Sequence, residues 1–248
     1  MNTPEFDAVF RPVRSGRAVE ETLDRLLQLV RLGIVGAGAR LPSERELAER
    51  LSVSRVTLRE ALRELAAAGY VESRRGRYGG TFVVETLPAP RRIERPGAAE
   101  LEDVLCLRRI LEPGAAELAA ARRLSSAARQ HLAATSAEAA AADPLDYRRR
   151  DSRLHLAIAE VTASGSLTTA VADVRMRIAG VLDENPVSRG RRDRSDAQHA
   201  RIVEAILAGD PVAARAAMAE HVEETASLLR TSGTGAGADP GTPRHPGS

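Results

Sequence analysis

Apolar positions recur at helical spacing along almost the whole chain, with one short interruption. Val19, Leu23, Leu26, Leu27 and Val30 share one face over residues 17–33, which predicts a helix. Gly33, Gly36 and Gly38 end it. Ser43 is a good N-cap, and Glu46 three residues later completes a capping-box pattern. Leu47 and Leu51 supply the apolar side of that short helix. The turn SVS at 52–54 leads to a third helix, capped by Ser54, that runs to about Ala68 and stops at Gly69. Its buried stripe is Leu58, Leu62 and Leu65. The interruption follows: Tyr70–Ser73 and Thr81–Val84 read as two short strands around RRGRYGG, residues 74–80. Two helices joined by a tight turn and followed by a β-ribbon make a winged helix-turn-helix.

Residues 86–97, TLPAPRRIERPG, are rich in proline and charge and suit a linker. Helical periodicity then resumes, with helices expected at 98–122, 126–142, 145–163, 166–182, 195–208 and 211–230. No strand pattern interrupts them, so an all-α bundle follows. The fold class is mainly α. The expected organisation is a winged helix-turn-helix over 11–85, a linker over 86–97, an all-α domain over 98–230 and a disordered tail over 231–248. That tail, TSGTGAGADPGTPRHPGS, has almost no apolar side chains.

Composition changes this picture only at the edges. The 248 residues leave ample chain for a core without disulfides. Cys106 is the only cysteine, which excludes an intrachain disulfide and a zinc ribbon. No apolar run approaches the roughly 20 residues of a membrane helix. The opening MNTPEFDAVFRPVR lacks the apolar core of a signal peptide. A soluble, cytoplasmic protein without a membrane partner is expected. All 36 basic side chains are arginine, and the formal net charge is only +2. Bulk charge therefore argues for nothing; local placement must.

In a helix-turn-helix the second helix enters the major groove and its first turns touch base edges. Here the side left over by the buried stripe presents Ser54, Arg55, Thr57 and Arg59. An arginine fork matches guanine O6 and N7, and hydroxyls suit phosphates or bases. Arg45, one turn into the preceding helix, could reach the backbone. Arg75, Gly76 and Arg77 in the hairpin tip could reach the minor groove or phosphates, and glycine there permits close approach. The competing reading of any single arginine is a solvated helix face; the caps, turn, Arg/Thr face and Gly/Arg tip together favour double-stranded DNA.

The stretch LPSERELAERLSVSRVTLREALRELAAAGYVESRRGRYGGTFV, residues 41–83, resembles the DNA-binding domain of GntR-type bacterial transcription regulators. The resemblance implies that Arg45, Ser54, Arg55, Thr57, Arg59 and Gly76 contact operator DNA, and that the protein is a homodimer on a short inverted repeat.

The bundle carries polar residues on faces that should point inward. Asp151 and His155 share a face with Leu154, Ile158 and Val161. His199 aligns with Ile202, Val203 and Ile206, and His221 with Met218, Val222, Thr225 and Leu229. Isolated ionised groups rarely stay inside a protein. Four such groups on three helices are best explained by meeting one another at a divalent metal, with imidazole and carboxylate suiting zinc, nickel or manganese. The plainer alternative is that each is a core histidine bonded to a backbone carbonyl. His245 falls in the tail, and His131 lacks a matching inward carboxylate, so both are left out.

LRRILEPGAAELAA at 107–120, DSRLHLAIAEVTASGS at 151–166 and HARIVEAILAGDPVAARAAMAEHV at 199–222 resemble the all-α effector-binding domain called FCD, of the FadR branch. Six apparent helices point to its VanR-like subgroup. Many FCD domains bind a metal through one Asp and three His, and those positions match Asp151, His155, His199 and His221. Arg108 matches an arginine that lines the pocket in relatives and could clamp a small carboxylate metabolite; an intrahelical pair with Glu112 is its alternative. The combined expectation is a ligand-responsive DNA-binding transcription regulator such as a repressor, not an enzyme. The rival is a metal-dependent hydrolase or lyase fused to a DNA-targeting domain. It lacks a second carboxylate placed as general base, since Glu160 points away from the Asp151/His155 face.

Overall fold

Leu26, Leu29 and Val30 turn α1 (Ala18–Arg31) onto α3 (Arg55–Ala67), where Leu58, Ala61, Leu62 and Leu65 close the first core. This is the arrangement in the computed structural model, which describes residues 17–76, 79–88, 97–183 and 188–234. Between them runs α2 (Glu44–Leu51), started by Ser43, whose Oγ accepts from the Glu46 N–H at 3.3 Å. Ser52 ends α2 in the left-handed region at φ 54°. A non-glycine residue there costs about 1 kcal/mol, and the tight turn between α2 and α3 rests on it. Ser54 then caps α3 by accepting from the Thr57 N–H at 3.0 Å.

The wing is β1 (Val71–Arg74) paired antiparallel with β2 (Gly80–Val83), in a register that sets Val71 opposite Val83 and Arg74 opposite Gly80. Val71 and Val83 are the inward pair; the rest of β1 is exposed. A bridge from Arg40 to Phe82 adds a third short edge that the sequence reading does not anticipate.

Six helices build the second body: α4 (Ala98–Ala121), α5 (Ser126–Ala140), α6 (Tyr147–Glu160), α7 (Gly165–Asp183), α8 (Arg189–Ala208) and α9 (Pro211–Thr234). α4 lies along α9 and α7, α8 packs on α9, and α6 sits between α5 and α7. Leu132, Leu154, Ile158, Ile202, Ile206 and Met218 form its central core. The two bodies are docked. Leu156, Ala172 and Met176 of the bundle pack into the core of the head. Gly33, at φ +68°, lies so close to α6 that a Cβ would come within 2.9 Å of Arg149 Cγ.

Two helix limits differ from expectation by four residues or more. α8 begins at Arg189 instead of 195, because RGRRDR is polar all round and carries no apolar period to read. α9 continues to Thr234, four residues into the segment expected to be tail. Residues 235–248 of that segment, 11–16 of the expected head and 89–96 of the expected linker lie outside the described residues.

Candidate metal centre and nucleic-acid interface

Asp151 and His155 stand one turn apart on the buried face of α6. Opposite them is the α8–α9 hairpin. Gly209 closes α8 in the left-handed region at φ 74°, and Asp210 caps α9 by accepting from the Ala213 N–H at 2.9 Å. His199 and His221 lie about equally far on either side of that turn, so they face each other. One nitrogen or oxygen from each of Asp151, His155, His199 and His221 falls within 4.8 Å of the others, and all four residues are buried.

His199 Nε2 is 3.3 Å from both His221 Nε2 and Asp151 Oδ1, and His155 Nε2 is 3.9 Å from Asp151 Oδ1. His155 Nε2 has no hydrogen-bond partner. Ligand bonds of about 2.1 Å place neighbouring donor atoms roughly 3.0–3.4 Å apart, so these residues fit a divalent ion with little adjustment. The surrounding groups fit too, since a ligating imidazole normally engages a partner through its other nitrogen. His221 Nδ1 is 3.0 Å from Gln198 Oε1, and Gln198 Nε2 donates to Glu224 Oε2 at 2.7 Å. His155 Nδ1 lies 3.0 Å from Glu112 Oε2 without the geometry of a hydrogen bond, and His199 Nδ1 has no hydrogen-bond partner among the described residues.

Two arginines are sealed in beside this cluster. Arg108 is fully buried and donates through Nε to Glu112 Oε2 at 2.9 Å. The intrahelical pair is therefore present, yet both terminal nitrogens of Arg108 have no partner. Arg175 donates to Asp151 Oδ2 and, at 2.9 Å, to Ser152 Oγ. Sequence reasoning missed Arg175 and Gln198 altogether and met Glu112 only as a partner for Arg108. Arg175 was findable: it interrupts the apolar stripe Val171, Val174 and Ile178.

Burial alone would raise the Asp151 carboxyl, but the Arg175 guanidinium holds it well below the usual carboxylate range. Burial pushes His199 down to about 4 and His221 well below the ordinary histidine value. Near neutral pH the cluster thus offers a carboxylate at Asp151 and unprotonated imidazoles at His199 and His221, the forms a metal requires. A cavity of about 60 Å³ opens onto Asp151, His221 and Arg108.

His131 needs correction. Its Nε2 is 3.7 Å from Glu160 Oε2, so it does face an inward carboxylate, on α6. Glu160 itself bonds Arg153 and stays away from the Asp151/His155 face, as expected.

The other expected site lies on the head. Ser54, Arg55 and Arg59 are exposed at the start of α3, with Thr57 half-buried and its Oγ1 2.9 Å from Ser54 Oγ. Arg55 has no ion-pair partner among the described residues, whereas Arg59 bonds Glu44 at 2.8 Å and Arg45 bonds Glu49 at 3.0 Å. Val56, 74 % exposed, stands between them. On the wing, Arg75 and Gly76 are exposed, and Gly76 adopts φ +106°; Arg77 lies outside the described residues. No described helix is long and apolar enough to cross a membrane.

Residues 18–83 match the gntR family of bacterial regulatory proteins, and residues 103–224 match the FCD domain. An Escherichia coli regulatory protein named for the L-lactate dehydrogenase operon is 30% identical, the alignment covering 83% of this chain and 84% of that one. The Uxu operon transcriptional regulator of Escherichia coli is 31% identical over 77% of this chain and 79% of its own. Among solved structures, E. coli McbR/YncC shares the fold at a TM-score of 0.53 and 20% identity, covering 88% of this chain and all of that one. The two Escherichia coli relatives matched in sequence are named as operon regulators, so the hydrolase or lyase alternative falls away. The chain is a bacterial DNA-binding transcription regulator of the GntR family, with an FCD ligand-sensing domain behind its winged helix-turn-helix.

Proposed function

We propose that this regulator binds an inverted-repeat operator as a homodimer and senses a small organic acid held between a divalent metal and Arg108. One observation carries the reading: Arg108, whose terminal nitrogens have no partner, lines the same cavity as Asp151 and His221 of the cluster. Arg108 and Arg175 balance Glu112 and Asp151, so the four charged side chains around the centre cancel. A divalent ion adds two positive charges to a buried place, and an anion is the natural complement. Bound there, the metal would supply charge and a coordination position for a carboxylate oxygen. Three imidazoles and one carboxylate favour zinc, with nickel or manganese as the alternatives. The relative named for the L-lactate dehydrogenase operon adds weight to an acid as effector.

On the DNA side, the unpaired Arg55 is the best placed to read a guanine, and Val56 suits a thymine methyl. Arg45, Ser54, Thr57, Arg59, Arg75, Gly76 and Arg77 complete the contact set. Leu107, Ile110 and Leu118 form an exposed apolar stripe along one face of α4, which a second copy of the chain would cover. Cys106 is exposed beside it. Two heads then need half-sites about 34 Å apart.

The test is selection of an operator from random duplex DNA, followed by titration of that operator with small acids present. A palindromic consensus and an acid that changes affinity only in metal-loaded protein are expected. Equal affinity for all duplexes at fixed salt would sink the operator reading. An effect of acids that survives metal removal would sink the metal-bridged one.

A further inference from the structure

A cavity of about 420 Å³ opens at the C-terminal end of α6, among the ends of α4, α5 and α7, and shares no lining residue with the cavity at the metal cluster. Its volume lies in the range of small-molecule sites. Glu160 is buried in its wall, with a side chain only 5% exposed. Arg153 brings both terminal nitrogens to 3.0 Å from Glu160 Oε2 and donates to His131 Nε2 at 3.0 Å. Glu160 Oε1 is buried and has no hydrogen-bond partner. A buried carboxylate oxygen without a donor is costly unless something arrives to supply one.

The rim carries the opposite chemistry. Arg122 and Arg123, at the end of α4, line the cavity, are exposed and have no ion-pair partner among the described residues. Ser164 and Thr168 belong to the start of α7, where the first N–H groups of the helix point outward. Ala163, at φ +53°, makes the tight turn that brings this helix start beside Glu160. Glu160 and Arg153 cancel, and the two rim arginines leave an excess of two positive charges.

We propose that this cavity is a second, metal-independent site for a small organic acid that also carries a hydroxyl or ammonium donor. The acid group would face Arg122, Arg123 and the start of α7, and the donor would meet Glu160 Oε1.

Three acids with one four-carbon skeleton test it: L-malate has a hydroxyl, L-aspartate an ammonium, succinate neither. Binding to the full chain is measured by titration calorimetry before and after chelation of metal. After chelation, malate or aspartate should bind about 10-fold or more tighter than succinate. Replacing Arg122 and Arg123 together by Ala should weaken that binding about 10-fold or more. Glu160→Gln should remove the preference for aspartate. Absence of any binding after chelation, equal affinity for the three acids, or indifference to the arginine replacement would each overturn the proposal. The comparison among acids uses the unmodified protein, so it stands even if a variant misfolds.

Discussion

Gln28 donates through Nε2 to Asp173 Oδ1 at 2.9 Å, joining the first helix of the DNA-reading head to α7 of the bundle. Arg25 reaches the same oxygen at 3.2 Å. Arg175, two residues further along α7, holds Asp151 of the candidate metal centre. One helix therefore touches both the head and the candidate metal centre, and a ligand can bias the head only by favouring one of two arrangements of such an element.

Asp173→Ala removes the shared acceptor. The pair is partly exposed, so stability should fall by no more than about 1 kcal/mol. Operator affinity without ligand and metal content should hold, while the change in affinity caused by an acid effector should shrink severalfold. Operator titrations with and without the acid measure this.

His199→Ala deletes a ligand whose Nε2 is 3.3 Å from two of the others. Metal per chain, measured by elemental analysis, should drop by at least half, with ligand-free operator binding intact. Unchanged stoichiometry would mean that the cluster does not hold the ion.

Arg175→Met strands the Asp151 carboxylate in a buried place. Breaking one side of a buried pair costs about 3–5 kcal/mol, so the denaturation midpoint of metal-free protein should fall sharply. Addition of a divalent ion should recover part of the loss, because the ion gives Asp151 a new partner.

The four proposed metal ligands were legible in the sequence because each sits on an apolar face, where a polar side chain is out of place. Arg175 and Glu112 obey the same rule but belong to a charge-rich composition, and their burial is decided by α4 meeting α6 and α7. His131 and Glu160 were hidden for a related reason: they lie on neighbouring helices, and only the α5–α6 packing brings them together. Helix identities followed from periodicity throughout. The start of α8 did not, because a helix polar on every side leaves no periodic trace.

Arg55→Ala should lower operator affinity about 5- to 150-fold, the worth of one arginine–guanine pair, and leave metal content unchanged. Arg59→Ala should cost less, since Arg59 must first release Glu44. Binding assays at fixed salt separate the two.

Stability should also depend on pH in a defined direction. His199 has a folded value of about 4, below the ordinary 6.5. Between those values the unfolded chain binds the proton and the folded chain does not. Stability of metal-free protein is therefore fully present above pH 6.5 and declines as pH falls toward 4, by on the order of 3 kcal/mol from His199 alone. Metal-loaded protein should resist the decline until the ion dissociates. Melting curves across this range, with and without chelator, provide the comparison.

The space beside the metal cluster is about 60 Å³, room for a few water molecules and little more. A multi-carbon acid is expected to enter more readily when the α8–α9 hairpin, which supplies much of the wall, yields. Capture of such a molecule should consequently be gated: the observed association rate will climb with concentration only until it meets the opening rate of the hairpin, then level off.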